Sequence, residues 1–218
     1  MARGAHKVNP IAFRIGFNRT WSSKWYSQKN NYCSNLFSDF KIKQIVNKKL
    51  KAAGVGDIVI KRNNDKVYLD IYVARPGLVI GKGGEAITNL KNFIEKQVKQ
   101  SVEIKILEIK HPEVVAKLVA ETIALQCEKR VAPKVAMAKA IEAAKETGLI
   151  EGIDIWVGGR IKGAEMARKE KMRWGKVPRH NLRIYLDYAF TEAQVPGAGK
   201  HGIKVWINKG EKTFYTVD

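Results

Sequence analysis

The apolar residues of the chain first repeat with a helical spacing and then with a strand spacing. Between Ser38, a favourable N-cap, and Gly54, a favourable C-terminal stop, they fall on one side of a predicted helix. These apolar residues are Phe40, Ile42, Ile45, Val46 and Leu50. Two alternating segments follow at 57–61 and 67–73, separated by turn residues at 63–65. The pattern predicts a helix followed by a β-hairpin.

A glycine-rich loop and a second helix are predicted after the hairpin. The residues at 75–77 break the strand pattern, and a short apolar turn at 78–80 leads into the loop. The loop consists of Gly81, Lys82, Gly83 and Gly84, and the next helix carries one apolar stripe of Ile87, Leu90, Ile94 and Val98. A strand at 102–109 completes an order of helix, strand, strand, short helix, glycine loop, long helix and strand.

The pattern changes at His111 and Pro112, because proline disfavours helical geometry in the preceding residue and suits the start of a new helix. Two amphipathic helices are predicted beyond this point, at 115–126 and 133–148, followed by three strands near 153–157, 182–186 and 203–207. The predicted fold class is α+β. The predicted division is a basic N-terminal arm (1–38), a first domain (39–110), a second domain of two helices and a β-sheet (111–210), and a tail (211–218).

Charge narrows the range of functions. The chain has 40 Lys and Arg residues against 21 Asp and Glu, a net charge of +19 and an isoelectric point near 9.9. A small domain needs a net charge of only about 2–8 for solubility. The cations are concentrated in three blocks separated by nearly neutral segments, and no acidic residue precedes Asp39. This distribution is typical of a protein that binds a polyanion such as nucleic acid.

Several other classes of protein are not supported by the sequence. Its cysteines, Cys33 and Cys127, are too far apart for a metal or redox motif, and its four histidines are scattered. No acid, base and nucleophile combination stands out, and no stretch approaches the roughly 18 apolar residues of a membrane span. The N-terminus has no apolar core of a signal peptide. We expect a cytoplasmic protein without a catalytic centre, cofactor, metal ion or membrane contact.

The glycine loop is a candidate RNA-binding element. Glycines allow the backbone to approach a phosphate closely, and the N-terminus of the following helix presents N–H groups to it. A Walker A loop is disfavoured because three residues rather than four separate Gly77 from Gly81, and no Ser or Thr follows Lys82. The order of elements instead resembles a type II KH domain, in which such a loop contacts about four nucleotides. A turn that merely requires glycine is the alternative.

A second candidate is the basic segment 158–183, which has nine Lys or Arg residues against two Glu. Its cations are Arg160, Lys162, Arg168, Lys169, Lys171, Arg173, Lys176, Arg179 and Arg183. This density suits displacement of counterions from a phosphate backbone, whereas a solvated loop would mix charges more evenly. In the arm, Arg14, Arg19 and Lys24 alternate with aromatic residues, which either stack on bases or anchor the arm to protein.

Six segments together resemble bacterial small-subunit ribosomal protein three, in the same order along the chain. They are Lys7–Arg14, Trp21–Tyr26, Gly81–Gly84, Gly159–Arg168, Val177–His180 and Gly202–Ile207. The resemblance implies a structural protein in the head of the small subunit that binds ribosomal RNA, with Lys7 and Asn9 among its contacts. It also implies mRNA, ribosomal protein ten and ribosomal protein fourteen as partners.

The resemblance further implies that a basic stretch early in the second domain lines the mRNA entrance and assists the unwinding of structured messages. Arg130, Lys134 and Lys139 match basic positions of that stretch, whereas Val135 and Ala138 stand where the family usually has a basic residue. The alternative function is a free-standing KH-type regulator of mRNA. Such a regulator would not be expected to need a cationic arm and a second basic domain.

Overall fold

The computed structural model describes residues 7–63, 66–98 and 100–211, with the side chains of Asn30 and Lys82 excepted. The predicted tail beyond Glu211 and part of the predicted hairpin turn lie outside the described residues. The described residues form two compact units, one within 21–110 and one that combines residues 7–20 with residues 111–211. Each unit combines helices with a β-sheet, so the predicted α+β class is confirmed.

A short helix, α1 (Pro10–Arg14), precedes the first unit in the chain. The first unit contains β1 (Ser23–Lys24), α2 (Lys29–Lys49), β2 (Val55–Arg62), β3 (Lys66–Val73), α3 (Pro76–Ile80), α4 (Glu85–Val98) and β4 (Ser101–Glu108). Its sheet has the order β1-β2-β3-β4, antiparallel between β2 and β3 and parallel between β3 and β4. Ile42 and Val46 of α2 and Leu90 and Ile94 of α4 are buried in the core that this sheet supports. The predicted order of elements is confirmed.

Helix α2 begins at Lys29 and not after Ser38, so the predicted N-cap was wrong. The Ser38 hydroxyl lies inside the helix and donates a hydrogen bond of 2.8 Å to the carbonyl oxygen of Ser34. The added turns leave Tyr32, Leu36 and Phe37 exposed. They therefore have no core-facing apolar stripe, which is the pattern that marks a helix in a sequence.

The second unit adds α5 (Ala116–Glu128), α6 (Pro133–Glu146), β5 (Gly152–Gly159), β6 (Arg168–Gly175), β7 (Ile184–Val195) and β8 (Gly199–Glu211) to α1. Its sheet has the order β6-β5-β8-β7, and every neighbouring pair is antiparallel. One face, the inner face, packs with α5 and α6 around Ile123, Met137, Ile155 and Val205. The helices thus cover one side of the sheet, and the side chains of the opposite face point away from this core.

The prediction of three strands in this unit was wrong, because the basic segment supplies a fourth strand, β6. Met172 and Trp174 of β6 pack against the core, whereas Lys171 and Arg173 alternate with them and are exposed. An edge strand often carries cations on its solvent side. Its charge pattern then resembles that of a surface loop, and the strand is not recognised from charge alone. A turn at Pro196 and Gly197 joins β7 to β8.

Candidate nucleic-acid interface

The outer face of the second sheet combines indole rings with cations. In the register of β5, Trp156 lies opposite Lys171 of β6 and opposite Lys204 of β8. In the register of β7 and β8, Tyr188 lies opposite Trp206. Side chains opposite each other on one face of a sheet are near neighbours. We call this surface the basic-aromatic face and define it by Trp156, Lys171, Tyr188, Lys204 and Trp206, together with Lys7 and Arg179, which pack on the two indoles.

Three cations surround the ring of Trp156. The ammonium nitrogens of Lys7 and Lys171 lie 3.7 Å and 4.4 Å from its centroid, and the guanidinium carbon of Arg179 lies 4.8 Å from it. Arg179 is also 4.0 Å from the ring centroid of Trp206. All of these distances fall within the range of about 6 Å in which a cation is attracted to an aromatic face.

A buried carboxylate on the same face fixes this arrangement. Asp154, which is 6 % exposed, accepts a hydrogen bond of 2.7 Å from the indole nitrogen of Trp156 and another from the guanidinium of Arg179. The rings of Trp156 and Trp206 meet edge to face with their centroids 5.0 Å apart. The ring orientations are therefore set by the protein, which lowers the entropic cost of binding a ligand on this face.

The cations of the basic-aromatic face outnumber their local counter-charge. Partial burial lowers the pKa of Lys7 below its ordinary value, and the positive charges of Arg179 and Lys171 lower it further. The carboxylate of Asp154 acts in the opposite direction, and more weakly. A phosphate group on this face would relieve the repulsion between the cations, so the face is suited electrostatically to a polyanion.

The other predicted cations of segment 158–183 lie at the surface. Lys169 and Arg173 of β6 are exposed on the same side of the strand as Lys171, whereas Arg168 is exposed on the other side. The remaining exposed cations lie in the connections between strands: Arg160, Lys162, Lys176 and Arg183. Arg160 donates a hydrogen bond of 2.9 Å from Nε to the carbonyl oxygen of Ala164.

Arg14, a predicted RNA contact, is fully buried and belongs to the core of its unit. Its guanidinium donates to the carbonyl oxygens of Pro10, Arg179, Asn181 and Ile184 at 2.7–3.1 Å. All of its nitrogens are thereby used within the protein, and the side chain cannot reach a ligand at the surface. The structure corrects the prediction for Arg14, which holds α1 against the segment that leads into β7.

The other predicted contacts of the arm differ from one another. The side-chain oxygen of Asn9 accepts from the backbone N–H of Ile11 at 2.9 Å and so caps α1. Arg19 forms an ion pair of 2.9 Å with Asp187, and the side chains of both are 15 % exposed. Lys24 lies in β1 and is exposed. Lys7 and Lys24 are therefore open to a ligand, and Asn9 and Arg19 have structural partners.

The glycine loop has a backbone that only glycine adopts readily. Gly81, Gly83 and Gly84 have φ values of 71°, 63° and 80°. A Cβ on Gly81 would also lie 2.8 Å from the Cβ of Ala86, so this residue is required by packing as well as by conformation. Gly83 is exposed, and a Cβ there would meet nothing within 4 Å. The loop is thus open to an approaching ligand at Gly83.

Apolar side chains flank the glycine loop on the α3 side. Leu78 is 57 % exposed and Ile80 is 43 % exposed. The first turn of α4 begins with the exposed Glu85, whose charge opposes that of a phosphate. The charge of Glu85 therefore weakens the attraction of this helix N-terminus for a phosphate.

The predicted mRNA-entrance residues do not form a single group. Lys134 and Lys139 are exposed on α6, and Arg130 is exposed in the connection between α5 and α6 with a φ of 63°. Val135 is 47 % exposed, and Ala138 is partly buried. Val135 is therefore not part of the core, to which this helix contributes Ala136, Met137, Ile141 and Ala144.

Neither the charge pattern nor the sequence motifs indicate Trp156, Tyr188, Lys204 and Trp206, the other residues of the basic-aromatic face. Strand alternation predicts that some of these residues face outward. The predicted core residues at 153, 155 and 157 leave 154 and 156 on the opposite face of the strand. The same argument places 204 and 206 outward between core residues 203, 205 and 207. The density of charge in the sequence predicts the cations of this face but not the aromatic side chains on which they pack.

In the parts of the chain that the structure describes, no group of three or more His, Cys, Asp or Glu residues is arranged to bind a metal ion. None of the helices formed by these residues is both long and apolar enough to cross a lipid bilayer.

Comparisons with known proteins agree with the division into two domains. Residues 41–114 match the family model of the KH domain, and residues 123–207 match that of ribosomal protein S3, C-terminal domain. Similar proteins include the small ribosomal subunit protein uS3 of Gluconobacter oxydans, 48 % identical over 94 % of this chain and 90 % of the relative. Those of Desulfatibacillum aliphaticivorans and Caldanaerobacter subterraneus are 46 % and 45 % identical over 94 % of this chain and 93 % and 92 % of their own lengths.

Proposed function

The chain belongs to the ribosomal protein S3 family, and on that premise we propose that it binds ribosomal RNA in the head of the small subunit and helps to form the mRNA entrance. As a family member it is a structural, RNA-binding constituent of the small ribosomal subunit and not an enzyme. The proposed partners are ribosomal RNA, mRNA and ribosomal proteins ten and fourteen. The proposed location is the ribosome in the cytoplasm.

The observation that supports ribosomal RNA binding best is the basic-aromatic face. Lys7, Lys171 and Arg179 lie within 5 Å of the Trp156 ring, and the indole nitrogen of Trp156 donates a hydrogen bond to Asp154. Cations on this face can contact phosphates, and the partly exposed ring of Trp156 lies beside them, whereas Trp206 is buried and supports that ring from within the protein. The exposed cations of β6 extend the same surface along the edge of the sheet.

The glycine loop is proposed as a second, separate contact with RNA. Its open backbone at Gly83 and the exposed Leu78 and Ile80 offer hydrogen bonds and an apolar surface to unpaired bases. At the mRNA entrance, Lys134 and Lys139 are proposed to contact message through its phosphates, because both are exposed on α6.

The test of ribosomal RNA binding compares two double variants of the full chain. Lys171→Gln with Arg173→Gln removes two cations from the outer face of β6. Lys129→Gln with Lys145→Gln removes two exposed cations elsewhere, one directly after α5 and one in α6. The first variant is expected to lower the slope of log affinity against log salt by about two, since each phosphate contact contributes about 0.9. The control is expected to change it by less.

Incorporation is measured in the same experiment by expressing each tagged variant beside the native protein. Co-sedimentation with small subunits at high salt is expected for the native chain, and reduced occupancy is expected for the β6 variant. Equal slopes and equal occupancy for both variants would reject the role of the basic-aromatic face. Persistent free protein would favour a free-standing KH regulator, which the family membership does not favour.

A further inference from the structure

A cavity in the second unit lies apart from the basic-aromatic face. It has a volume of about 380 Å³, which is within the range of about 300–1,000 Å³ for small-molecule sites. Its walls combine the apolar side chains of Val131, Val195 and Pro196 with the polar side chains of Arg130, Lys162 and His201. Apolar walls with a few polar groups are the usual composition of a ligand site.

The backbone at the two cations is held in an unfavourable conformation. Of the described residues other than glycine, only Arg130 and Lys162 have positive φ values, of 63° and 57°. Both line this one cavity. A left-handed conformation is unfavourable for residues with a Cβ, and such residues concentrate at binding sites. Glycine would relieve the strain at either position. The backbone conformation therefore does not account for the presence of a cationic residue at each.

The imidazole of His201 supplies the strongest indication of a ligand. The residue is 3 % exposed, and neither Nδ1 nor Nε2 has a hydrogen-bond partner within the described protein. A buried polar group without a partner is costly, and an imidazole offers one donor and one acceptor when neutral. Gly159 makes room for the ring, because a Cβ at that position would collide with it.

The N-terminus of α6 contributes to the same cavity. Ala132, its N-cap, and Pro133, its first residue, both line the walls, and no side chain caps the helix. The positive end of the helix dipole therefore adds to the charges of Arg130 and Lys162.

We propose that this cavity binds one extruded nucleotide of an RNA chain. Arg130, Lys162 and the α6 N-terminus contact its phosphate, His201 donates to and accepts from the base or sugar, and the apolar walls contact the base. The inference rests on the proposed function only in that RNA supplies the nucleotide. A chain that enters small subunits normally but leaves the cavity empty would overturn this inference and leave the proposed function intact.

The test uses the full chain with its histidines labelled for NMR, titrated with uridine and adenosine monophosphate, inorganic phosphate and a short single-stranded oligouridylate. The His201 imidazole signals, assigned by their loss in His201→Phe, are expected to shift with the nucleotides and with the oligomer. The oligomer is expected to bind more tightly than either mononucleotide. Equal effects of phosphate and nucleotide would reject the nucleotide site, and a response to mononucleotides alone would reject RNA as its source.

Three variants separate binding from folding. Arg130→Gly and Lys162→Gly remove a cation and relieve a left-handed residue, and each is expected to weaken nucleotide binding about tenfold, because hydrogen bonds to charged groups are strong. His201→Phe keeps a ring of similar shape without polar atoms and is expected to abolish binding while the protein stays folded. Lys129→Ala removes an exposed neighbouring cation outside the cavity and is expected to leave binding unchanged.

Unchanged nucleotide affinity in Arg130→Gly, Lys162→Gly and His201→Phe would overturn the proposal. So would an equal loss of affinity in Lys129→Ala, because the effect would then reflect overall charge. Thermal unfolding of each variant shows whether the fold is retained, and retained stability with lost binding is the result that supports the site.

Discussion

The ammonium nitrogen of Lys7 lies 3.7 Å from the ring centroid of Trp156. The two residues are far apart in the chain, and the contact closes the part of the N-terminal arm around α1 onto the outer face of the second sheet. Two further cations, Lys171 and Arg179, approach the same ring. Partial burial lowers the pKa of Lys7, and the repulsion from Arg179 and Lys171 lowers it further.

Replacing Lys7 with Met is expected to weaken RNA binding and to leave the fold at least as stable at neutral pH. The change removes one phosphate contact, so the salt slope is expected to fall by about one. It also removes a cation that Arg179 and Lys171 repel, whereas the methionine side chain keeps the contact with the ring. Affinity measured over a salt series and urea unfolding at pH 7 test both parts. A large loss of stability with an unchanged slope would show that Lys7 only anchors the arm.

The same residue predicts a pH dependence of stability. The pKa of Lys7 is lower in the folded chain than its ordinary value of 10.5, so the charged form is disfavoured by folding. Below the folded pKa both states are charged and the destabilisation is complete. As the pH rises from the folded pKa to about 10.5, the unfolded state binds more protons and stability from this group increases. Urea unfolding is expected to show the native chain gaining stability relative to Lys7→Met in that window, and parallel curves would contradict it.

Replacing Arg14 with Ala is expected to destabilise the second unit without a specific effect on RNA. The change leaves buried carbonyl oxygens without donors, at about 1–3 kcal/mol for each group, so a loss of about 3 kcal/mol is expected. Arg183→Ala, at an exposed position, is the matched control and should change the free energy of unfolding by less than about 0.5 kcal/mol. A salt slope that falls in Arg14→Ala at full occupancy of the folded state would restore Arg14 as an RNA contact.

The burial of Arg14 could not be predicted from the sequence. The carbonyl oxygens that it binds at Arg179 and Ile184 lie more than 160 residues away in the chain. Nothing local distinguishes a buried arginine with such partners from a surface arginine in a basic arm. The alternation at Val67, Leu69 and Ile71, in contrast, is a local pattern that indicates which side of β3 is buried. It predicted the hairpin correctly.

The candidate interface was predictable in composition but not in arrangement. The density of cations between 158 and 183 identified the region, yet the strand β6 that orders Lys169, Lys171 and Arg173 on one face was missed. Its pairing with β5 is a tertiary interaction that overrides the loop-like charge of the segment. His201 was one of four scattered histidines in the sequence, and only burial beside Gly159 distinguishes it.

Introducing Asp at Gly83 is expected to weaken RNA binding through the glycine loop. Asp and Asn both tolerate left-handed backbone better than most residues, and Gly83 has space for a side chain. Gly83→Asp and Gly83→Asn therefore share their conformational cost and differ in charge. Gly83→Asp is expected to reduce affinity for single-stranded RNA and lower the salt slope by about one, whereas Gly83→Asn should keep the slope. If both variants keep the native slope and affinity, the loop is structural.

The exposed cations of α6 are expected to give this protein only a weak ability to unwind structured mRNA. Lys134 and Lys139 are five residues apart and point about 140° away from each other around the helix. They cannot act as one stripe, so unwinding is expected to be weaker than in relatives with a denser basic pattern. Val135→Arg with Ala138→Lys would place cations at 134 and 138 and at 135 and 139, which are two adjacent pairs at a spacing of four residues.

Folding is expected to tolerate this double change. Val135 is half exposed, and a lysine at the partly buried Ala138 can extend its ammonium into solvent. Val135→Gln with Ala138→Gln is the matched control, because it adds similar bulk without charge. Translation through a stable mRNA hairpin should be faster with ribosomes that carry the basic variant than with the native chain or the control. It should be slower with Lys134→Ala and Lys139→Ala combined. Equal rates for all four at equal subunit occupancy would show that α6 has no unwinding role in this protein, since charge on the helix would then have no effect on the message.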